Sequence, residues 1–170
     1  MYRIGIGYDV HAFDLLQGAN NLYITLGGIQ IPYKHRLIAH SDGDVVLHAL
    51  TDAMLGSIAA GNIGAHFPPT DDKWKDVSSK VFVQHANSLI NDKGYTIQNL
   101  DITVICQEPK IMPYSIRMRQ NISLILNLEI DQVSVKAVTT EGLGALGRQE
   151  GIAAQAVVLI HNATSQNTGA

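Results

Sequence analysis

Near the start of the chain, apolar residues alternate with small or polar ones: Ile4, Ile6 and Tyr8 against Gly5, Gly7 and Asp9. A period of two predicts a β-strand with one apolar face and one nearly bare face. If the strand continues, His11 falls on the Asp9 side, and the two glycines leave room for something to approach that side closely. Residues 22–31 predict a hairpin that turns at Gly27-Gly28. The period then changes. Val45, Leu47, Leu50, Met54, Leu55 and Ile58 recur at helical spacing and predict a helix over Val45–Ala60, with Ser41 or Asp42 as its N-cap. Gly61-Asn62-Ile63-Gly64 closes that helix, and His66–Asp72 reads as a loop because Pro68-Pro69 continues no regular structure. A second helix is predicted over Val77–Asp92, ended by Gly94. A strand at Leu100–Gln107 precedes a third helix, with Pro113 in its first turn and its end near Leu128. Val133–Thr140 is a strand. Ile152–His161 is almost continuously apolar, the pattern of a central strand or one buried between subunits.

The order β, hairpin, α, α, β, α, β, β predicts an α/β fold: one domain, a mixed sheet, and helices packed on one face. A chain of 170 residues suits a single domain over residues 1–162, followed by a disordered polar tail at 163–170. Fifteen acidic residues against twelve basic ones leave no basic stripe, so neither nucleic acid nor an anionic membrane is an expected partner. No apolar run is long enough to span a bilayer, and the N-terminus lacks the pattern of a signal or transit peptide. A lone cysteine, Cys106, fits a reducing cytoplasm.

Candidate chemistry sits in four segments. In an extended Asp9-Val10-His11 a carboxylate and an imidazole share one side. In His40-Ser41-Asp42-Gly43-Asp44, followed by His48 and Asp52, the spacing puts Asp44, His48 and Asp52 on one helix face, where a carboxylate one turn from His48 could hold its free ring N–H. Asp9, His11 and His48 together offer three ligands and an open fourth position, the arrangement of a catalytic zinc. Lys136–Gly151 runs from a strand into a loop with Gly142, Gly144, Gly147 and Gly151; with Thr139, Thr140 and Arg148 it could cradle phosphate. Glu141 would repel phosphate there unless a cation such as magnesium bridged them. Cys106–Met112 leaves a strand and enters a helix, a common place for a ligand. Each segment alone also reads as ordinary structure: a polar strand end, a charged helix face, a turn-rich loop, a surface connection. His35, His85 and His161 read as structural, and Trp74 as a packing residue.

These segments, in this order, resemble the 2-C-methyl-D-erythritol 2,4-cyclodiphosphate synthase family. The resemblance runs through Ile4–Phe13, Leu26–Pro32, Ala39–Val46, His48–Ala53, Gly61–Gly64, Phe67-Pro68, Pro109-Lys110, Thr139–Glu141 and Arg148–Gly151. It implies a bacterial or plastid enzyme of non-mevalonate isoprenoid synthesis, here bacterial and cytoplasmic. That enzyme is a phosphorus–oxygen lyase that releases CMP, and a homotrimer with active sites between subunits. By position it implies zinc on Asp9, His11 and His48, and magnesium on Glu141. Catalytic roles fall to His40 and Thr139, which would position phosphates. Ser41 and Val10 would touch substrate, and Asn62, Ile63 and Gly64 the ribose and methylerythritol parts. Phe67, Pro68, Pro69, Thr70 and Asp71 would line the erythritol side. Cys106, Gln107, Glu108, Pro109, Lys110, Ile111 and Met112 would form the cytidine pocket. Val138 and Thr140 flank Thr139, while Ala145 and Arg148 would lie near an apolar cavity on the trimer axis. Asn62 stands where the family usually has aspartate. Two other readings use the same groups: a metal-dependent phosphohydrolase, and a non-catalytic trimer that binds zinc and a nucleotide.

Overall fold

The N-terminal alternation folds as β1 (Tyr2–Asp14), which runs past its apolar repeat and through Asp9 and His11. The computed structural model describes residues 1–16, 22–68, 70–74 and 77–162; Pro69 and the tail at 163–170, expected to be disordered, lie outside them. β2 (Tyr23–Leu26) and β3 (Ile29–Pro32) form the expected hairpin. Gly27 and Gly28 have φ of 58° and 74°, the doubly left-handed turn favoured by two-residue hairpins. β4 (Arg36–Leu37) pairs with the end of β1. There follow α1 (Val45–Ser57), α2 (Ile63–His66), α3 (Lys80–Asp92), β5 (Thr96–Ile105), α4 (Ser115–Leu126), β6 (Val133–Val138), α5 (Gly144–Gly147) and β7 (Gly151–His161).

The sheet order is β4-β1-β7-β5-β6. Among the described residues only β5 and β6 pair in parallel, so the sheet is mixed as the pattern predicted. β7 is central, hydrogen-bonded to β1 on one side and β5 on the other; that accounts for its apolar run. The helices cover one face. α1 lies on β1 and β7, α3 packs on α1, and α4 packs on β6. The glycines of β1 decide how closely α1 sits. A Cβ at Gly5 would fall 1.9 Å from the Ala53 carbonyl oxygen, and one at Gly7 2.0 Å from that of Ala49. What approaches the bare side of β1 is therefore the backbone of α1. Leu47, Leu50, Met54 and Leu55 then pack fully buried with Ile102, Val104, Ala156 and Val158. Each such large side chain contributes about 1.5–3 kcal/mol by leaving water.

Among the described residues nothing covers the other face of the sheet along β1. Tyr2, Ile4, Ile6, Tyr8 and Val10 are between 49 % and 68 % exposed. Local details differ from the sequence reading where a tertiary contact outbids the local rule. The N-cap of α1 is Asp44, not Ser41 or Asp42, because its carboxylate accepts from Val46 N and Leu47 N and also from the hairpin turn, Gly27 N and Gly28 N. α1 stops at Ser57, before the left-handed Ala59. The Gly61–Gly64 segment does more than end a helix: Asn62 caps α2, accepting from Ala65 N at 3.0 Å. α3 begins at Lys80 rather than Val77.

Candidate metal centre and substrate cleft

β1 alternation carries Asp9 and His11 to the helix side of the sheet, and the close seat of α1 brings His48 over them. Asp9 Oδ2 lies 3.1 Å from His11 Nε2 and 3.0 Å from His48 Nδ1. The two histidine nitrogens are 3.1 Å apart. One donor atom from each residue thus forms a nearly equilateral triangle, within the reach of one metal ion. An ion in tetrahedral coordination, with bonds of about 2.0–2.1 Å, sets its ligand atoms about 3.3 Å apart. The donor set fits a divalent metal of that size. Burial works against the charged form of Asp9, but hydrogen bonds and charge from His11 and His48 prevail and hold its carboxyl below the usual range. It remains an anion, as a ligand must.

The triangle sits at the edge of a cavity of about 240 Å³ whose lining includes His40, Ser41, Ile63, Phe67, Trp74 and Phe82. His40, Ser41, Ile63 and Phe67 are among the expected substrate residues. Trp74, expected to be a packing residue, does pack edge-on against Phe67 with centroids 4.8 Å apart, and Phe82 lies tilted against Phe67 at 4.5 Å; both also wall the cavity. Asn62 and Gly64 are exposed beside it on α2, with the Asn62 side-chain oxygen committed to the cap. Pro68, Thr70 and Asp71 continue from Phe67 outside that lining, and Asp71 pairs with Lys73 at 2.7 Å.

The expectation that Asp44 or Asp52 would hold the free ring nitrogen of His48 is not met. Asp44 is spent on its cap and the hairpin turn, and Asp52 accepts from Ile63 N at 2.7 Å, tying α2 to α1. His48 Nε2 instead meets Ser79 Oγ at 2.8 Å and Ser41 Oγ at 3.0 Å. Ser79 lies on another element, 31 residues along the chain, where no local spacing rule could find it. His66 and His85 also meet, at 3.2 Å, and fasten α2 to α3.

A second cavity, of about 150 Å³, is lined by Cys106, Gln107, Pro109, Lys110, Ile111, Met112, Ala137, Val138 and Thr139. The structure therefore joins the Cys106–Met112 segment to the start of the glycine loop. Burial, then Glu108, push the Cys106 thiol up to about 11. Lys110 is exposed and 3.5 Å from Glu108. With its amide oxygen facing the loop, Gln107 accepts from Thr140 N and Gly142 N, each at 3.1 Å. Glu141 is exposed at a left-handed φ of 52° and accepts from the Thr139 hydroxyl at 2.7 Å. Ala145 and Arg148 are exposed; Arg148 pairs with Glu150 at 2.6 Å and lines neither cavity. Register puts both cavities at one end of the sheet, since Val10, Ala153, Ile105 and Val138 lie in one row. The row crosses three strand spacings, about 14 Å.

An α/β sheet with a three-donor metal corner and a second cavity in the same row is the frame of a metal-dependent enzyme. Residues 2–161 match the YgbB family. The chain is 54 % identical over 159 residues to the 2-C-methyl-D-erythritol 2,4-cyclodiphosphate synthase of Xanthomonas oryzae pv. oryzae (strain PXO99A), covering 94 % of each. It is 52 % identical to that of Ehrlichia canis (strain Jake), covering 93 % of this chain and 92 % of the relative. Among solved structures, the CDP complex of Plasmodium falciparum IspF superposes with a TM-score of 0.81 at 37 % identity, covering 95 % of this chain and 96 % of that one. The bifunctional IspDF of Campylobacter jejuni gives 0.86 at 39 %; 94 % of this chain spans 42 % of that longer one. The chain belongs to the YgbB family, whose curated relatives are cyclodiphosphate synthases, as the sequence resemblance implied.

Proposed function

We propose that this chain converts 4-diphosphocytidyl-2-C-methyl-D-erythritol 2-phosphate into 2-C-methyl-D-erythritol 2,4-cyclodiphosphate and CMP, a step of non-mevalonate isoprenoid synthesis in a bacterial cytoplasm. The observation that carries this reading is the Asp9–His11–His48 triangle at the edge of a cavity, in a chain of this family. One oxygen of the 2-phosphate attacks the β-phosphorus of the diphosphate. A bond from that phosphorus to the bridging oxygen breaks, and CMP leaves with the electron pair. No side-chain nucleophile is required; positioning and charge neutralisation do the chemistry.

Asp9, His11 and His48 would hold zinc, and Glu141 magnesium. When bound, these ions would supply Lewis-acid stabilisation of the phosphate oxygens. His40 and Ser41, on the wall of the metal cavity, would orient one phosphate, and Thr139, on the wall of the other, a second. Ile63, Gly64 and the Phe67–Asp71 segment would enclose the methylerythritol side. Cys106–Met112 would take the cytosine, with Lys110 turned from Glu108 toward the diphosphate. Val10, Asn62, Val138, Thr140, Ala145 and Arg148 complete the proposed contacts. The naked apolar face of β1 supports a homotrimer in which the metal cavity of one copy meets the Cys106–Met112 cavity of the next. A large uncovered apolar patch is an interface signal.

Purified protein incubated with the cytidylated substrate, zinc and magnesium tests this by phosphorus NMR. Stoichiometric CMP and a cyclic diphosphate are expected. Inorganic phosphate as product would make the chain a phosphohydrolase instead, and CMP binding without turnover would make it a binding module.

A further inference from the structure

We propose that Gln107 is a positioning residue: from the wall of the Cys106–Met112 cavity its side-chain oxygen holds the Thr140–Leu143 turn, and so sets where Thr139 and Glu141 stand. The geometry stands on its own; its consequence for catalysis rests on the reaction proposed above. β5 and β6 pair in parallel as far as Ile105 and Val138. One further bond follows, from Cys106 N to Val138 O at 3.1 Å, and then the two chains part. β5 leads into the Cys106–Met112 segment and β6 into the glycine loop. Gln107 is the next residue on the β5 side, half-buried and lining the same cavity as Thr139. The end of its amide that faces the loop meets two N–H donors, Thr140 N and Gly142 N, each at 3.1 Å, so that end is the oxygen. A carboxamide oxygen has two lone pairs, and here both are used. The side chain thus extends the ladder where the backbone no longer reaches. Among the described residues no other side chain from outside the loop bonds to residues 139–143.

The turn needs such a tie. Leu143 N donates to Thr140 O at 2.9 Å, and the two residues between, Glu141 and Gly142, have φ of 52° and 79°. A left-handed glutamate is strained, and its surroundings must offset that strain. The same backbone step folds Glu141 back on Thr139. The threonine hydroxyl donates to Glu141 Oε1 at 2.7 Å and accepts from Glu141 N at 3.2 Å. The residue proposed to orient a phosphate and the one proposed to hold magnesium are therefore locked to each other, and Gln107 locks both to the sheet. A nucleotide seated in the cavity then meets an arm whose position is already set.

Two substitutions separate this role from others. Gln107→Met keeps the length of the side chain and removes the acceptor. Gln107→Glu keeps an acceptor for both N–H groups and adds a negative charge beside an anionic substrate.

The test joins proton–nitrogen NMR of the Thr140 and Gly142 amides, CMP affinity by calorimetry, and steady-state kinetics with the cytidylated substrate. In the wild type both amide protons should lie downfield, as hydrogen-bonded ones do. Gln107→Met should move both upfield and lower kcat roughly a hundredfold, the scale of about an ångström of misplacement, while CMP affinity stays at the wild-type value. Gln107→Glu should keep the downfield amides and most of kcat, its charge showing as a raised KM. Unmoved amides in folded Gln107→Met overturn the tie. Moved amides with kcat retained overturn the positioning role. CMP affinity that falls in step with kcat in Gln107→Met makes the side chain a nucleotide contact and overturns that role as well. Where Gln107→Met fails to fold, Gln107→Glu decides, because loss of its downfield amides contradicts the tie. A wild type that forms no cyclic diphosphate overturns the proposed reaction instead, and the amide signals still decide the tie.

Discussion

The two places proposed to hold metal are built in opposite ways. The corner at Asp9, His11 and His48 is assembled from a strand and a helix that share one core, and its outer partners come from a third element, α3. The glycine loop holds Glu141, itself exposed, by the Thr139 hydroxyl, by bonds within the loop, and by the Gln107 amide oxygen, which accepts from Thr140 N and Gly142 N. Gly142 and Gly144 have open space where a Cβ would stand and left-handed φ values of 79° and 68°. A corner fixed by packing holds donor atoms 3.0–3.1 Å apart before anything binds. The loop is tied to the rest of the fold through Gln107 and the strands at its two ends, and it leaves Glu141 on the surface. A prebuilt seat beside an exposed loop would suit the proposed reaction, in which a large anion must be admitted and then held still.

Several substitutions can break or sharpen that contrast. The largest effect belongs to His48→Ala: bound zinc measured by elemental analysis should fall to background, with activity lost and the circular dichroism spectrum kept. Full zinc occupancy in that variant would remove the corner from the account. Gly5→Ala tests the packing beneath it. Its Cβ would meet the Ala53 carbonyl oxygen at 1.9 Å, so α1 must move; a loss of about 3 kcal/mol in urea unfolding is expected. A loss below about 0.5 kcal/mol would mean that α1 is not seated by the glycines.

Asp44, fully buried beneath the same corner, supplies a pH test. Burial is the main cause that pushes its carboxyl up to about 6, helped by the charge of Asp42 and opposed by backbone donors. The folded state thus binds this proton more tightly than the unfolded one. Its contribution is fully present below about pH 4 and is lost as pH rises through about 6. The stability difference between wild type and Asp44→Asn should therefore fall by about 2 kcal/mol from pH 4 to pH 6.5, at about 1.4 kcal/mol per unit. A flat difference curve would contradict it. The smallest effect is expected in the loop. Glu141→Gln should leave stability unchanged to within about 0.5 kcal/mol, as exposed sites do, yet shift the magnesium titration of activity. Equal magnesium dependence would make the loop a bystander.

The parts of the corner that were legible in the sequence are those encoded by period. Asp9 and His11 share a side because strands alternate, and His48 follows a helical run, so the three candidate donors could be named from spacing. The hairpin at Gly27-Gly28 and the central strand at Ile152–His161 were legible for the same reason. What spacing cannot carry is the partner across the fold. Ser79 and Asp42 meet across 37 residues, and the helix caps went to residues that also served a distant contact, as Asp44 does for the hairpin turn. Gly5 and Gly7 announced a close approach but not that a helix makes it. The apolar face of β1 was visible as a pattern, while the side on which helices pack, and hence which face is left bare, emerges only from the whole sheet.

The central claim is that one chain prebuilds a divalent-metal seat from Asp9 Oδ2, His11 Nε2 and His48 Nδ1. Anomalous diffraction at the zinc edge, from crystals grown with zinc and CMP, tests it most directly. The account expects a single strong peak within about 2.0–2.2 Å of those three atoms, with the His48 ring still bonded to Ser79 through Nε2. A peak at other residues, or His48 turned to bind through Nε2, would contradict it.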